Sequence, residues 1–276
     1  MPLKINLTTQ NRVCMTSSRR LFLKQLGAGS AALSMLNVPG LLSSMVSGLF
    51  ISFKVSGRVT VKGKGLKNVV VTDGRNVVQT DAEGRFQFDS SSDRKFVYLS
   101  LPGGYEIPLQ ANGASQFFKP LNGKDEAFHF ELTPLKESDE NHSFLLLADP
   151  QIQDVYEAEQ LLMHTTPDII QTITSTEANT FGIGCGDLVF DKPELFADYN
   201  KMVQQSGVPF FQVLGNHDMA LDVRSDALST NTFNVLYGPT YYSFNRGEIH
   251  YVVLDDVFFL GKGAERGYIG YLPEEQ

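Results

Sequence analysis

Cysteine is scarce. Cys14 and Cys185 are the only two in 276 residues, and two thiols make no disulfide framework. Stability must then come from a core, and 42% hydrophobic against 20% charged residues can supply one. The length suits one or two domains. Cys185 sits in an apolar run and reads as a small buried core residue. Acids are missing from the first 50 residues, which carry Lys4, Arg12, Arg19, Arg20 and Lys24. Taking those five from the chain's 23 basic residues leaves 18 against 31 acids, or −13, for the remainder. A body that acidic does not attract nucleic acid as a whole, so any phosphate binding must be local. Histidine is thin as well: after His217 only His250 follows.

The first 50 residues read as an address. Ser18-Arg19-Arg20-Leu21-Phe22-Leu23-Lys24 resembles the twin-arginine export signal. An uncharged stretch from Gln25 to Phe53 follows. It is long enough to span a bilayer but is diluted by Pro39 and several Gly and Ser residues. Export is the expectation, to the periplasm or cell envelope of a bacterium, with an uncleaved anchor as the alternative. No clean Ala-x-Ala site is present, and Val46-x-Gly48 is the best weak candidate. Met15 offers a tidier start than Met1. A peptide from residues 3–12 in the unprocessed precursor would exclude that start.

From 51 to 134 the apolar period is two. Val55, Val59 and Val61 alternate with polar residues, and Asp73-Gly74 and Glu83-Gly84 separate β-branched and aromatic runs. Those are hairpin signals. Phe86/Phe88, Phe96/Tyr98 and Phe128/Phe130 are i, i+2 pairs, so each pair shares a strand face. The pattern predicts a β-sandwich with those faces as its core; sugar binding through exposed aromatics is the alternative. The stretch resembles the carboxypeptidase-regulatory-like sandwich. Residues 135–142, polar and charged, read as a linker.

From 143 to 276 short apolar runs end in polar clusters. Phe144–Ala148 runs into Asp149-Pro150-Gln151, Phe181–Cys185 into Gly186-Asp187, and Phe210–Leu214 into Gly215-Asn216-His217-Asp218. Runs so bounded read as buried strands. Val155 to Ile169 has helical apolar spacing, and Pro193–Gln205 suits a helix that Gly207 ends. Strand–helix–strand units make parallel strands, so the three clusters should meet at one sheet edge, where such sheets bind ligands. Asp149, Gln151, Asp187, Asn216 and His217 are hard, mostly oxygen donors with one imidazole, which suits Mn, Fe, Zn or Mg. Tyr241–Phe244 and Ile249–Leu254 read as a hairpin. Asp255-Asp256 reads as a turn or cap, and His129, His142, His164 and His250 lack ligand spacing.

The blocks Gly186-Asp187 and Gly215-Asn216-His217-Asp218 resemble the calcineurin-like metallophosphoesterase family. Gln151 stands where that family usually has His, in an Asp-x-Gln variant of its first block. The resemblance implies a mixed fold: the β-sandwich, then the first half of a layered α/β metallophosphoesterase domain. It implies two divalent metal ions, Mn, Fe or Zn. Asp187 would bridge them, Asp149 and Gln151 would serve one, and Asn216 the other. It places His217 on the phosphate, to protonate the leaving oxygen or stabilise its developing charge, with Asp218 holding the imidazole. The implied activity is hydrolysis of a phosphate mono- or diester, or a diphosphate, by a two-metal mechanism.

The family's later lone His and Gly-His-x-His blocks have no counterpart before Gln276. Leu272-Pro273-Glu274-Glu275-Gln276 reads as the start of a helix. The expectation is therefore a C-terminally truncated domain with an unpaired sheet edge, weak metal binding, poor solubility and little or no turnover. The alternative function is a non-catalytic envelope binding protein with a degenerate metal site.

Overall fold

The computed structural model describes residues 50–176, 179–261 and 267–276. The twin-arginine segment, Cys14 and the weak cleavage candidate lie outside the described residues.

Alternation of buried and exposed positions builds the first strands, β1 (Ser52–Val61), β2 (Lys64–Gly65), β3 (Val70–Thr72) and β4 (Val77–Gln79). It continues through β5 (Arg85–Ser91) and β8 (Glu126–Glu131), while β6 (Phe96–Ser100) is buried on both faces from Val97 on and β7 (Phe118–Pro120) is a short edge strand. β1 is central to one four-stranded sheet, antiparallel to β2 and β5 and parallel to β8. The other sheet runs β4-β3-β6-β7, all antiparallel. Phe86, Phe88, Tyr98, Phe128 and Phe130 are buried, and Phe96 packs partly buried against them. The paired aromatics are therefore core residues and not an exposed sugar platform. Each such burial stabilises the fold by about 1.5–3 kcal/mol.

β9 (His142–Leu147), β10 (Asn179–Cys185) and β11 (Phe210–Val213) form a parallel sheet in the order β11-β10-β9. Between β9 and β10 the predicted helix is not one α-helix. It is α1 (Val155–Gln160), a π-helical turn at Leu161–Thr165, and α2 (Thr166–Thr174). Pro167 has no N–H to continue the α-helical ladder. At the π turn the Leu161 carbonyl accepts both the Thr166 N–H and the Thr166 hydroxyl. Between β10 and β11, Pro193–Leu195 makes a 3-10 turn that leads into α3 (Phe196–Ser206). α3 buries Phe196, Tyr199, Met202 and Val203 and ends at Gly207, whose φ of 74° is left-handed. The short α4 (Asp226–Ser229) and α5 (Asn231–Tyr237) follow β11. The predicted hairpin is β12 (Tyr242–Arg246) with β13 (Ile249–Val253), and β14 (Val257–Phe259) pairs with β15 (Tyr268–Gly270). Pro273–Gln276 forms a single turn, closed by Gln276 N–H on the Pro273 carbonyl at 3.2 Å.

One aromatic core joins the first two sheets to one face of the parallel sheet. Phe117 lies 5.9 Å from Phe211, and Phe211 stacks on Phe244 at 3.7 Å. Leu145, Leu147 and the helices build a second core on the other face. Residues 51–276 accordingly pack as one compact unit. Cys185 departs from its expected burial: it is exposed. It shares the face of Phe181 and Ile183, but the covering of that face stops short of the strand end. Phe144 and Leu146, on the same face of edge strand β9, are also exposed. Among the described residues no helix is long and apolar enough to cross a membrane.

Asp139, in the stretch read as a linker, is buried. It accepts the Gly104 N–H at 3.0 Å and faces Arg246 Nε at 3.4 Å, while Arg246 Nη1 donates to the Tyr105 carbonyl at 2.6 Å. Burial raises the Asp139 carboxyl, but the Gly104 and Gly247 N–H groups and Arg246 outweigh it and hold it below 3.8. A depressed carboxyl stabilises the fold above its unfolded value and loses that contribution as pH falls through the folded value. Melting temperature should therefore drop below about pH 4, and less steeply in Asp139→Asn. Equal slopes in the two proteins would remove Asp139 from the acid response.

Candidate metal centre

Parallel pairing brings the ends of β9, β10 and β11 to one edge, with Asp187 on the middle strand. The loops behind those ends are knitted together. Gln151 N–H donates to the Asp187 carbonyl at 2.8 Å, Phe190 N–H to Ile152 at 3.1 Å, and Asp191 N–H to the His217 carbonyl at 3.1 Å. Four non-glycine residues here have left-handed backbone: Asp149 (φ 49°), Gln151 (39°), Asp187 (47°) and Asp191 (57°). Such conformations cost on the order of 1–3 kcal/mol each and persist where their surroundings over-determine them. Among the described residues only Lys62 and Asn68 share this region of backbone space without being glycine. The strain is thus concentrated at this edge.

The Gln151 amide nitrogen donates to Asp149 Oδ1 at 3.0 Å and to Asp187 Oδ2 at 2.8 Å. Two carboxylates from different strand ends thus converge on one small donor. Asp187 is nearly buried, and its Oδ1 accepts the His217 N–H at 3.0 Å. Asn216, one residue earlier, opens a 3-10 turn over Asn216–Asp218. Gly215 makes this approach feasible. A Cβ there would lie 2.0 Å from the Asp187 nitrogen and 2.2 Å from its Oδ1.

The His217 ring stacks on Phe190 at 3.9 Å, and its Nδ1 lies 2.9 Å from Asp191 Oδ1. A carboxylate can only accept, so Nδ1–H is the donor, and Nε2 is the ring's other nitrogen. The expectation that Asp218 holds the imidazole is corrected here. Asp218 is fully buried and turns the other way. It accepts the N–H groups of Leu188 (2.8 Å) and Val189 (3.1 Å) on Oδ1 and of Gly215 (2.9 Å) on Oδ2. Burial, opposed by those three donors, pushes its carboxyl up to about 7. The residue that sequence reasoning missed is Asp191. Its signal was position: it closes the block that Gly186-Asp187 opens. Although Cys185 is exposed, the neighbours that partly enclose its thiol, then the negative charge of Asp149, raise the thiol.

Residues 53–135 match the family model for the N terminal of Calcineurin-like phosphoesterase. No curated protein matches the chain. The match covers the two sheets ahead of the strand ends, less than a third of the chain, and supports the metallophosphoesterase family. That family comprises hydrolases of phosphate esters and generally uses divalent metals.

The donor chemistry at the edge suits a hard cation: two carboxylates already share one N–H donor, and carboxylate and amide oxygens are the ligands such ions take. It does not suffice for a complete two-ion site. Among the described residues no group of three or more His, Cys, Asp or Glu side chains is placed to hold a metal ion. His129, His142 and His250 are engaged elsewhere, His129 with the Thr60 hydroxyl at 2.6 Å. His142 bridges the Asp139 carbonyl and the Tyr251 hydroxyl, and His250 pairs with Asn245. Asp255 reads as the expected cap: its backbone bonds the Gln276 side chain, and Oδ1 accepts the Val257 N–H at 3.3 Å.

Proposed function

We propose that this protein is a metal-dependent phosphoesterase of the bacterial cell envelope. The substrate is a phosphate mono- or diester, or a diphosphate. The observation that carries the reading is the Asp149–Gln151–Asp187 convergence beside an imidazole already paired with Asp191. Asp149, Gln151, Asp187 and Asn216 would hold divalent ions, Mn, Fe or Zn, with the Gln151 amide turning its oxygen inward. Two such ions supply Lewis acidity, polarising phosphoryl oxygens and making water nucleophilic at neutral pH. His217 donates its Nε2 proton to the leaving oxygen. Asp191 fixes the ring's tautomer and stabilises the imidazolium before transfer. Phe190 covers one ring face and limits its rotation. Asp218 holds the two loops together from behind.

We read the two N-terminal sheets as the β-sandwich that accompanies the catalytic part. The twin-arginine export machinery would deliver the chain folded, and no nucleic acid partner is proposed. Lysine at both Arg19 and Arg20 should retain the precursor in the cytoplasm; continued export of that variant would overturn the route.

Four donors cannot fill two sites that each take about four to six ligands. The protein should therefore bind Mn²⁺ weakly and hydrolyse a chromogenic phosphodiester slowly. Water-proton relaxation should show the Mn²⁺ binding, and Asp187→Asn should weaken it at least tenfold. His217→Ala should abolish the residual hydrolysis and leave Mn²⁺ binding unchanged. Binding indifferent to Asp187, or hydrolysis indifferent to His217, would overturn the assignment.

A further inference from the structure

Away from the strand ends, two guanidinium groups hold one carboxylate. Arg75, in the turn between β3 and β4, reaches Glu275 Oε2 with Nη2 at 3.0 Å. Arg94, just before β6, reaches the same oxygen at 3.4 Å. Arg94 Nη1 also donates to the Tyr241 hydroxyl at 3.4 Å. Asp93 braces the pair, 2.7 Å from Arg94 Nη2 and 3.4 Å from Arg75 Nη2. Arg94 is largely enclosed, its side chain 12% exposed.

Beside this cluster lies a cavity of about 200 Å³, walled by Lys95, Phe96, Tyr98 and Tyr241 and by Glu275 itself. Lys95 is committed elsewhere, donating to the Ala227 carbonyl and to the Asn231 and Asn234 side chains at 2.6–3.0 Å. The arginines balance Asp93 and Glu275 only while Glu275 is seated. Asp73 and Lys95 also line the cavity and offset each other, so removing that carboxylate leaves one net positive charge facing a cavity with aromatic walls. Glu275 sits in the single turn of Pro273–Gln276 and its side chain is 38% exposed, so an outside ligand can reach and replace it.

We propose that Arg75, Arg94 and Tyr241 form a binding site for the carboxylate of a small organic acid, and that Glu275 is its internal stand-in. The planar guanidinium groups match a carboxylate. The residual single positive charge matches a monoanion, and Asp93 alongside opposes a dianion such as hydrogen phosphate. Phe96 and Tyr98 would take the ligand's apolar body.

Benzoate titrated into the full chain, followed by calorimetry and ligand NMR, tests this. Glu275→Ala should bind it at least tenfold more tightly than the parent, and more tightly than it binds inorganic phosphate. Adding Arg94→Met to Glu275→Ala should remove the binding. Arg75 is half exposed, so Arg75→Met, with its folding checked by melting, repeats the test should Arg94→Met not fold. Equal affinity in the parent and Glu275→Ala, binding that survives loss of the arginine, or tighter binding of phosphate would overturn the proposal.

Discussion

Gly215→Ala should lower the melting temperature by roughly 10 °C and weaken Mn²⁺ binding more than tenfold. The φ of Gly215 is −106°, a value any residue adopts, so its need for glycine is steric. An added Cβ would meet the Asp187 nitrogen at 2.0 Å and Asp187 Oδ1 at 2.2 Å. Neither atom can give way cheaply. The nitrogen is backbone, and Oδ1 is fixed by the His217 N–H at 3.0 Å. The loops after β10 and β11 must therefore part. Overpacking of this kind costs about 1–3 kcal/mol and more when backbone must move. For a unit of this size each kcal/mol is worth about 2–4 °C. The same separation pulls Asn216 away from Asp187. Calorimetry and Mn²⁺ relaxation on one preparation check both effects. A melting point within about 2 °C of the parent, with Mn²⁺ binding intact, would mean the loops are not in contact as described.

Some of this edge was legible in the chain and some was not, for physical reasons. Apolar runs that stop at Gly and Asp mark where strands end, because a buried strand cannot continue into charged residues without cost. Parallel order then follows from the helix between runs, so the meeting of three strand ends needed no side-chain detail. Period-two aromatics likewise revealed shared faces, since strand geometry alone sets that period. What stayed hidden depends on side-chain direction inside turns. His217 and Asp218 are adjacent in sequence, but successive residues of a 3-10 turn point about 120° apart. Adjacency therefore could not reveal that Asp218 faces inward and Asp191 takes the ring. The π turn was hidden for a related reason. Apolar spacing over Val155–Ile169 is indifferent to one extra residue in a turn, and Pro167, which lacks an N–H, lies just beyond it. Cys185 misled because alternation gives the face of a residue and not how far the covering layer extends.

Asp218→Ala should be the most destabilising single change at the site, on the order of 5 kcal/mol. It leaves the N–H groups of Leu188, Val189 and Gly215 buried without their acceptors, at about 1–3 kcal/mol each. Asp218→Asn separates hydrogen bonding from charge. Its carbonyl oxygen can keep the Leu188 and Val189 bonds, while its NH₂ opposes the Gly215 N–H, a loss of about 2 kcal/mol. The pH response then tells the two apart. Burial lifts the Asp218 carboxyl from 3.8 to about 7, so between those values the folded chain binds more protons than the unfolded one. Its contribution is fully present below 3.8 and is lost as pH rises through about 7. That interval corresponds to on the order of 4 kcal/mol. The parent should therefore lose stability between pH 5 and pH 8, while Asp218→Asn lacks this slope. The variant should be the weaker protein at pH 5, and the gap should close by pH 8. Denaturant unfolding at the two pH values measures it. A constant gap would mean that the three N–H groups keep Asp218 ionised throughout, and that burial does not govern its charge.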